Sequence, residues 1–469
     1  MGLLRASRAL IKEKISRTPL GERLATGAFW TLVGSIAARV LTVPISVALA
    51  RLMGPTHYGE LGVMQSSIEF FGTFAGFGLS LTATKHIAEL RSKNPERAGR
   101  ILALSTATAA LTGAVVGVLL FVLAPWLAAH TLAAPQLTGP LRIGALLLFF
   151  AAITSAQSGA LFGFEAFKVS AHLQAIVGIL NVPFMLGGYF VAGLKGVLWG
   201  MVAAKVAEWL LKHNAVRSHA RRAQLPISYK ECRQEMGVLW RFSLPALLSG
   251  ALVAPVYWGC SAILVNRPNG YLQMGIFNAA NQWYGALLFL PVTLGTTLLP
   301  LLSDRMGDGD AKGSASVLGI MLRLNAVIMV PVVVGMALFS PFIMRLYGPA
   351  YRDAWPTLVV VLLTAGLFAI IMPVGDVIAA SGRMWLGCTM NAGWAAVFVT
   401  TTLVLVVGAG AGSFGLASAR LFSYAVHATW TFWFAYKLIR QHKSPAEPVI
   451  MGSNVARYEP LVASGSSPE

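Results

Sequence analysis

Residues 58–72 read YGELGVMQSSIEFFG, and 213 positions further on residues 271–285 read YLQMGIFNAANQWYG. In this register Tyr58 falls on Tyr271, Glu60 on Gln273, Gly62 on Gly275, Gln65 on Asn278, Glu69 on Gln282, Phe70 and Phe71 on Trp283 and Tyr284, and Gly72 on Gly285. Matches of Gly and Ala arise by chance in apolar helices, so the polar and aromatic coincidences carry the comparison. The offset also holds beyond this stretch. A shift of 216 sets residues 124–127 (APWL) on 340–343 (SPFI), and a shift of 215 sets Gly200, Ala204 and Lys205 on Gly415, Ala419 and Arg420. Weak self-similarity at near-constant spacing is the signature of a duplicated half.

Each copy is made of membrane spans. The 469 residues are 56% hydrophobic and 12% charged, whereas soluble domains carry about a quarter charged residues. Apolar stretches long enough to cross a ~30 Å hydrocarbon core as helices occur at 24–50, 58–84, 101–124, 141–163, 167–191, 196–211, 237–264, 271–299, 317–338, 355–381, 385–407 and 414–436. The sequence thus predicts an all-α membrane protein of about twelve transmembrane helices. An even number per copy keeps both halves in one orientation, so the two six-helix bundles are expected to be related by a pseudo-two-fold axis along the membrane normal. The organisation expected is a basic cytoplasmic segment (1–23), an N-terminal bundle (24–211), a basic cytoplasmic linker (212–236) that lets the bundles rock, a C-terminal bundle (237–437) and a disordered cytoplasmic tail (438–469). The long first span behind a basic segment reads as a signal anchor rather than a cleaved signal peptide.

A net charge of +18 would suggest nucleic acid in a soluble protein. Here its placement explains it. With the amino terminus inside, 25 Lys and Arg lie in cytoplasmic segments or, for Lys168, in the first turn beside one, and 6 in outer loops or, for Arg142, in the first turn beside one (Arg51, Arg142, Lys195, Arg267, Arg345 and Arg352). This asymmetry puts both termini in the cytoplasm and leaves no argument for nucleic acid. The runs 91–100 and 217–222 serve as topology signals, with anionic lipid headgroups or a cytoplasmic partner as the other use of such clusters. Cys232, Cys260 and Cys388 have no ligand-like spacing, so neither a disulfide framework nor a metal site is indicated.

Polar residues inside spans cost roughly 2.5–3.5 kcal/mol each when ionisable and therefore face cavities or other helices. Span 1 carries Thr31, Ser35, Arg39, Thr42 and Ser46 as one helical stripe; span 2 carries Gly62, Ser66, Glu69 and Thr73, with Gln65 beside them. A shared aqueous cavity would serve both stripes. Alternatively, Arg39 and Glu69 form a buried salt bridge and the hydroxyls serve close packing. Asn278 and Gln282 continue the polarity in the second half, which has no Arg39 equivalent. Lys205 and Arg420 give each bundle one positive charge, suited to a polyanion such as pyrophosphate; Glu208, one turn from Lys205, could instead neutralise it locally. Glu69, close to the bilayer middle, is the first candidate for taking up and releasing a coupling ion. Asp376, after Pro373 and Gly375, is the second, unless it sits solvated at the helix end. Tyr257, Trp258, Trp283 and Tyr284 could stack on sugar rings or anchor at the interface.

Residues 27–97 resemble the start of the Wzx-type polysaccharide flippases of the multidrug, oligosaccharidyl-lipid and polysaccharide exporter superfamily, through ARLMGPTHYGELG at 50–62 and GFGL at 76–79. GFEAFK at 163–168, LYGPAY at 346–351 and the Gly-rich 408–415 are similar too. The resemblance implies a V-shaped pair of bundles, alternating access and no covalent catalysis. It implies an undecaprenyl-pyrophosphate-linked oligosaccharide as cargo, a proton or sodium gradient in place of a cofactor, and location in the bacterial inner membrane. A polysaccharide polymerase and a chain-length regulator are candidate partners, beside membrane lipids. A multidrug antiporter for organic cations shares the superfamily and the polar cavity, but several positive charges suit cations poorly. A lipid II flippase would carry further helices. A polytopic glycosyltransferase or ligase would need a catalytic outer loop, whereas the longest here, 125–140, holds one His and no acid. No phosphate-binding loop of the GxxxxGK[ST] type occurs, so ATP does not drive the protein directly.

Overall fold

The computed structural model describes residues 19–229, 231–307, 311–380 and 384–441, and these are helical with no strand among them. In lipid an unpaired backbone polar group costs several kcal/mol, which is why a chain this apolar resolves into helices. Spans 1 and 2 form Pro19–Gly76, bent sharply at Gly54, where φ is 71°. Spans 5 and 6 form Phe167–Arg222, bent at Ala192–Gly193, where Gly193 has φ of 57°. Both reversals need left-handed backbone that glycine adopts without a Cβ clash. Span 3 is Pro95–Trp126, started by Asn94, whose side chain accepts from the Arg97 amide at 3.0 Å, with Pro95 in the first turn. Span 4 is Thr138–Gly163, span 8 Gly270–Gly307, span 9 Ala311–Leu338, span 10 Trp355–Ala380, span 11 Met384–Thr402 and span 12 Gly412–Gln441. Together with span 7, the described residues thus make twelve spans in two six-helix halves. Among the described residues, seven helices are apolar enough to cross a membrane on hydropathy alone.

Three boundaries differ from the sequence expectation. Span 2 does not run unbroken to residue 84: the helix stops at Gly76 and resumes as Leu79–Leu90, because Phe77 and Gly78 sit at φ of 44° and 64°. Span 7 is broken into Met236–Val238, a π-turn Leu239–Ser243, Leu244–Gly250 and, after a turn, Val253–Val265. The linker is also shorter and tighter than expected. Residues 212–222 belong to the span 6 helix, and the stretch after Arg222 packs on the first half. Leu225 and Cys232 are buried, and the Pro226 carbonyl rests on Gly99, where a Cβ would overlap it. Glu235 accepts from Arg97 Nε at 3.0 Å and from Arg100 Nη2 at 3.4 Å, and Thr82 Oγ1 lies 2.7 Å from Ser243 Oγ. The chain therefore leaves the N-terminal half within span 7, not within a loose tether. Residues 1–18 of the basic segment and 442–469 of the tail lie outside the described residues.

The end of the molecule carrying residues 91–100, 164–166 and 223–235 is termed the basic end; the end carrying Gly54, 127–137, 266–269 and 409–411 is the far end. Towards the far end the halves pack backbone on backbone, through spans 2 and 8, the two helices of the repeat. A Cβ on Gly59 would overlap the Tyr271 carbonyl, one on Gly62 the Asn278 side chain, and one on Gly275 the Pro55 carbonyl. Such close approach by small residues is how helices associate where no hydrophobic effect separates them from lipid. Four further bonds tie the far end: Tyr271 Oη to the Leu132 carbonyl at 2.7 Å, Asn266 Nδ2 to the Thr131 carbonyl at 2.7 Å, Asn278 Nδ2 to the Tyr58 carbonyl at 3.5 Å and Arg51 Nη2 to the Arg345 carbonyl at 3.5 Å.

Candidate functional site

Below this seal, spans 1, 2, 5, 6 and 8 enclose a cavity of about 180 Å³ whose polar lining is Thr42, Ser46, Tyr58, Gln65, Asn181 and Gln282. Gln282 reaches it from the second half, beside Tyr58 and Ser46 of the first. Thr42 and Ser46 of the first expected stripe line it, with Gln65 from beside the second and Gln282 from the other half, whereas Ser66, Glu69 and Thr73 are not in its lining. Asn278 lies one turn nearer the far end, in the seal. Asn181, which sequence reasoning does not single out, donates to the Val177 carbonyl at 2.9 Å. Its signal is an amide in the apolar second half of span 5, two turns beyond Gln174.

Glu69 follows Gln65 by one turn towards the basic end and is exposed, with no ion pair to a described residue. The hydroxyls around it are held by their own helix: Ser66 and Ser67 donate to the Val63 carbonyl at 2.8 Å, and Thr73 to the Glu69 carbonyl at 3.1 Å. Arg39 lies in the span 1 helix three residues before Thr42, and Asp376 in the last turns of span 10. Both side chains, and with them the Arg39–Glu69 pair, lie outside what is described.

Lys205 does not stand as a free charge. Its Nζ lies 2.7 Å from Glu208 Oε2, and Lys212 Nζ takes the other oxygen at 2.5 Å while bonding Ser158 Oγ at 2.7 Å. Three residues at i, i+3 and i+7 share one helix face, so one carboxylate serves two lysines. Lys212 is buried. Charge density alone assigns it to the linker, although its spacing of four from Glu208 is a signal that it belongs to the helix.

Arg420 has no acid on its helix, as expected, and its surroundings are aromatic. The guanidinium carbon stands 3.7 Å from the Tyr284 ring centroid and 4.7 Å from that of Tyr257, while Nη1 donates to Asn281 Oδ1 at 2.7 Å. Tyr257 and Tyr424 join their hydroxyls at 2.8 Å behind it. The four aromatic residues of spans 7 and 8 thus have separate roles. Tyr257 and Tyr284 face Arg420. Trp258 instead bridges the halves, stacked on Phe70 at 5.0 Å and donating to Ser67 Oγ at 2.9 Å, and Trp283 keeps a buried, unbonded Nε1.

A family model described as "Polysaccharide biosynthesis protein" matches residues 24–306. The chain is 25% identical over 404 residues to the EPS I polysaccharide export inner membrane protein EpsE of Ralstonia nicotianae, covering 83% of this chain and 89% of that one. It is 23% identical over 289 residues to the lipid III flippase of Escherichia coli, covering 60% of this chain and 67% of the relative. Among solved structures, the inward-facing conformation of a multidrug resistance MATE family transporter of the MOP superfamily superposes with a TM-score of 0.73 at 14% identity, over 89% of this chain and 99% of the other. At that identity the likeness speaks for the fold alone.

Proposed function

Because the chain belongs to the polysaccharide biosynthesis protein family, we propose that it is a flippase that carries an undecaprenyl-pyrophosphate-linked oligosaccharide across the bacterial inner membrane by alternating access. The observation that carries this reading is a polar cavity shared by both halves and sealed by direct backbone packing on one side. A hydrophilic head group requires such a lined path, since lipid rejects its charges and hydroxyls. Opening the far end requires spans 2 and 8 to separate, which exposes Gln65 and Gln282 to the other side. Arg420 adds a positive charge with no described acid against it, which favours an anionic head group over the organic cations of a multidrug antiporter. No covalent step is needed.

The test is accumulation of the lipid-linked intermediate. Gln65→Leu and Gln282→Leu, each expected to remain folded, should lower flipping in proteoliposomes by about tenfold or more, the loss of one or two buried hydrogen bonds to cargo. Wild-type rates in both variants would remove the cavity from the pathway. In the same assay Glu69 is our candidate for coupling to the proton or sodium gradient. Glu69→Gln should still bind cargo but lose the response to an imposed gradient, and an unaltered response would transfer the role to Asp376.

The basic end is assigned to the cytoplasm on the 25-to-6 division of positive charge. In a cysteine-free background, a membrane-impermeant thiol reagent applied to spheroplasts should label Gln136→Cys and spare Asn214→Cys. The opposite pattern would invert the topology. The product then emerges on the outer leaflet, where a polymerase and a chain-length regulator are the activities that would consume it.

A further inference from the structure

Arg420 is 5% exposed and lies in a chamber built by most of the C-terminal half. Tyr257 comes from span 7, Tyr284 from span 8, Phe368 from span 10, Trp394 from span 11 and Tyr424 from span 12. Tyr257 and Tyr284 face the guanidinium and the other rings pack behind them: Trp394 lies 5.6 Å from Tyr257 and 5.5 Å from Tyr424, and Phe368 lies 5.0 Å from Tyr424. Burying a cation usually demands a carboxylate. None of the ion pairs among the described residues includes Arg420, its Nη1 is met by the neutral Asn281 amide oxygen, and its Nε has no acceptor. The charge is met instead by the negative faces of two tyrosine rings at 3.7 and 4.7 Å. A box of aromatic faces with no carboxylate among its described walls is the chemistry that recognises guanidinium and quaternary ammonium ions.

We propose that Arg420 is a resident cation: its guanidinium occupies an organic-cation site in the C-terminal half and thereby closes that half to cationic cargo. The proposal deepens the flippase reading, on which its meaning for cargo rests. A protein whose halves open alternately presents each wall to solutes from both sides of the membrane. An empty aromatic box there would admit amines and guanidines. With Arg420 in place, an arriving cation meets a filled box and a like charge, while an anion meets attraction. Specificity by exclusion of the wrong ligand commonly takes this form.

The experiment empties the box and offers it a free ligand. Full-length R420A in detergent should unfold several degrees higher with millimolar ethylguanidinium, and the wild-type protein should not shift. N-ethylurea, of the same shape without charge, should leave R420A unchanged, and adding Tyr284→Leu to R420A should abolish the shift. R420M keeps the packing of the aliphatic stem and leaves only the head group's place vacant, so it serves the same test with guanidinium itself. A folded R420A or R420M indifferent to these ions would overturn the proposal, as would equal stabilisation of the wild type. Failure of both variants to fold would do so too, since the charge would then be a structural strut and not a filler. Flipping by the Gln65 and Gln282 variants is read separately: normal flipping there with ethylguanidinium binding by R420A would remove the cargo pathway and leave the cation box standing.

Discussion

Gly59→Val is expected to abolish export while leaving the protein folded, because it puts branched carbon where the Tyr271 carbonyl already lies. The obstacle is backbone, not the end of a flexible side chain, so it cannot be relieved by a rotamer change. The two halves would have to separate at spans 2 and 8, and the seal would be lost with them. Overpacking of this kind costs about 1–3 kcal/mol, enough to move the equilibrium between far-end-closed and far-end-open forms by about 5- to 150-fold. A pair of cysteines at Thr131 and Asn266, whose backbone and side chain meet at 2.7 Å, reports the closed form through oxidative cross-linking. Cross-linking should fall together with export in Gly59→Val. Gly187→Val provides the control, since a Cβ there meets nothing within 4 Å. Cross-linking and export at wild-type levels in Gly59→Val would show that closure at this crossing is not part of the cycle.

The sequence marked the two helices of that crossing without showing that they meet. Aligning Gly62 with Gly275 identified two related helices, but a repeat alone does not say that the two copies touch each other. What was legible followed from composition and period: the number of spans, the breaks at 51–57 and 192–195 that Gly54 and Gly193 turn, and the polarity of Thr42, Ser46, Gln65 and Gln282. What was not legible depended on non-local packing. Lys212 looked like the start of a basic linker because charge density rises there, yet the helix of span 6 carries it inward, one turn beyond Glu208. Residues 223–235 looked like a tether because they are polar and contain Pro226, and the acceptor that fixes them, Glu235, pairs with arginines more than 130 positions earlier. Broken span 7 had no marker stronger than Pro245 and Gly250. The aromatic box around Arg420 draws on five spans, and no window of sequence contains more than two of its members at helical spacing.

Glu208→Gln is expected to be the most destabilising polar substitution in the N-terminal half. The change removes the carboxylate that balances Lys212, whose side chain is 8% exposed, and leaves a neutral amide between two ammonium groups. Removing one partner of a buried pair costs about 3–5 kcal/mol, since the survivor stays desolvated without its counter-ion. Lys205 has an alternative. Its side chain is 30% exposed, so it can turn towards water, and Lys205→Met should cost only about 0–1 kcal/mol. Ser158 does not depend on the pair either, because its hydroxyl donates to the Thr154 carbonyl at 2.7 Å and loses only an incoming bond when Lys212 goes. The double variant Glu208→Met with Lys212→Met should therefore recover most of the stability lost in Glu208→Gln, because apolar pairs of similar volume replace buried ion pairs at little net cost. Thermal unfolding of the four proteins in detergent decides it. A Glu208→Gln protein as stable as wild type, or a double variant less stable than the single, would mean that water reaches Lys212, and the N-terminal half would then hold two solvated positive charges instead of one net charge locked in place.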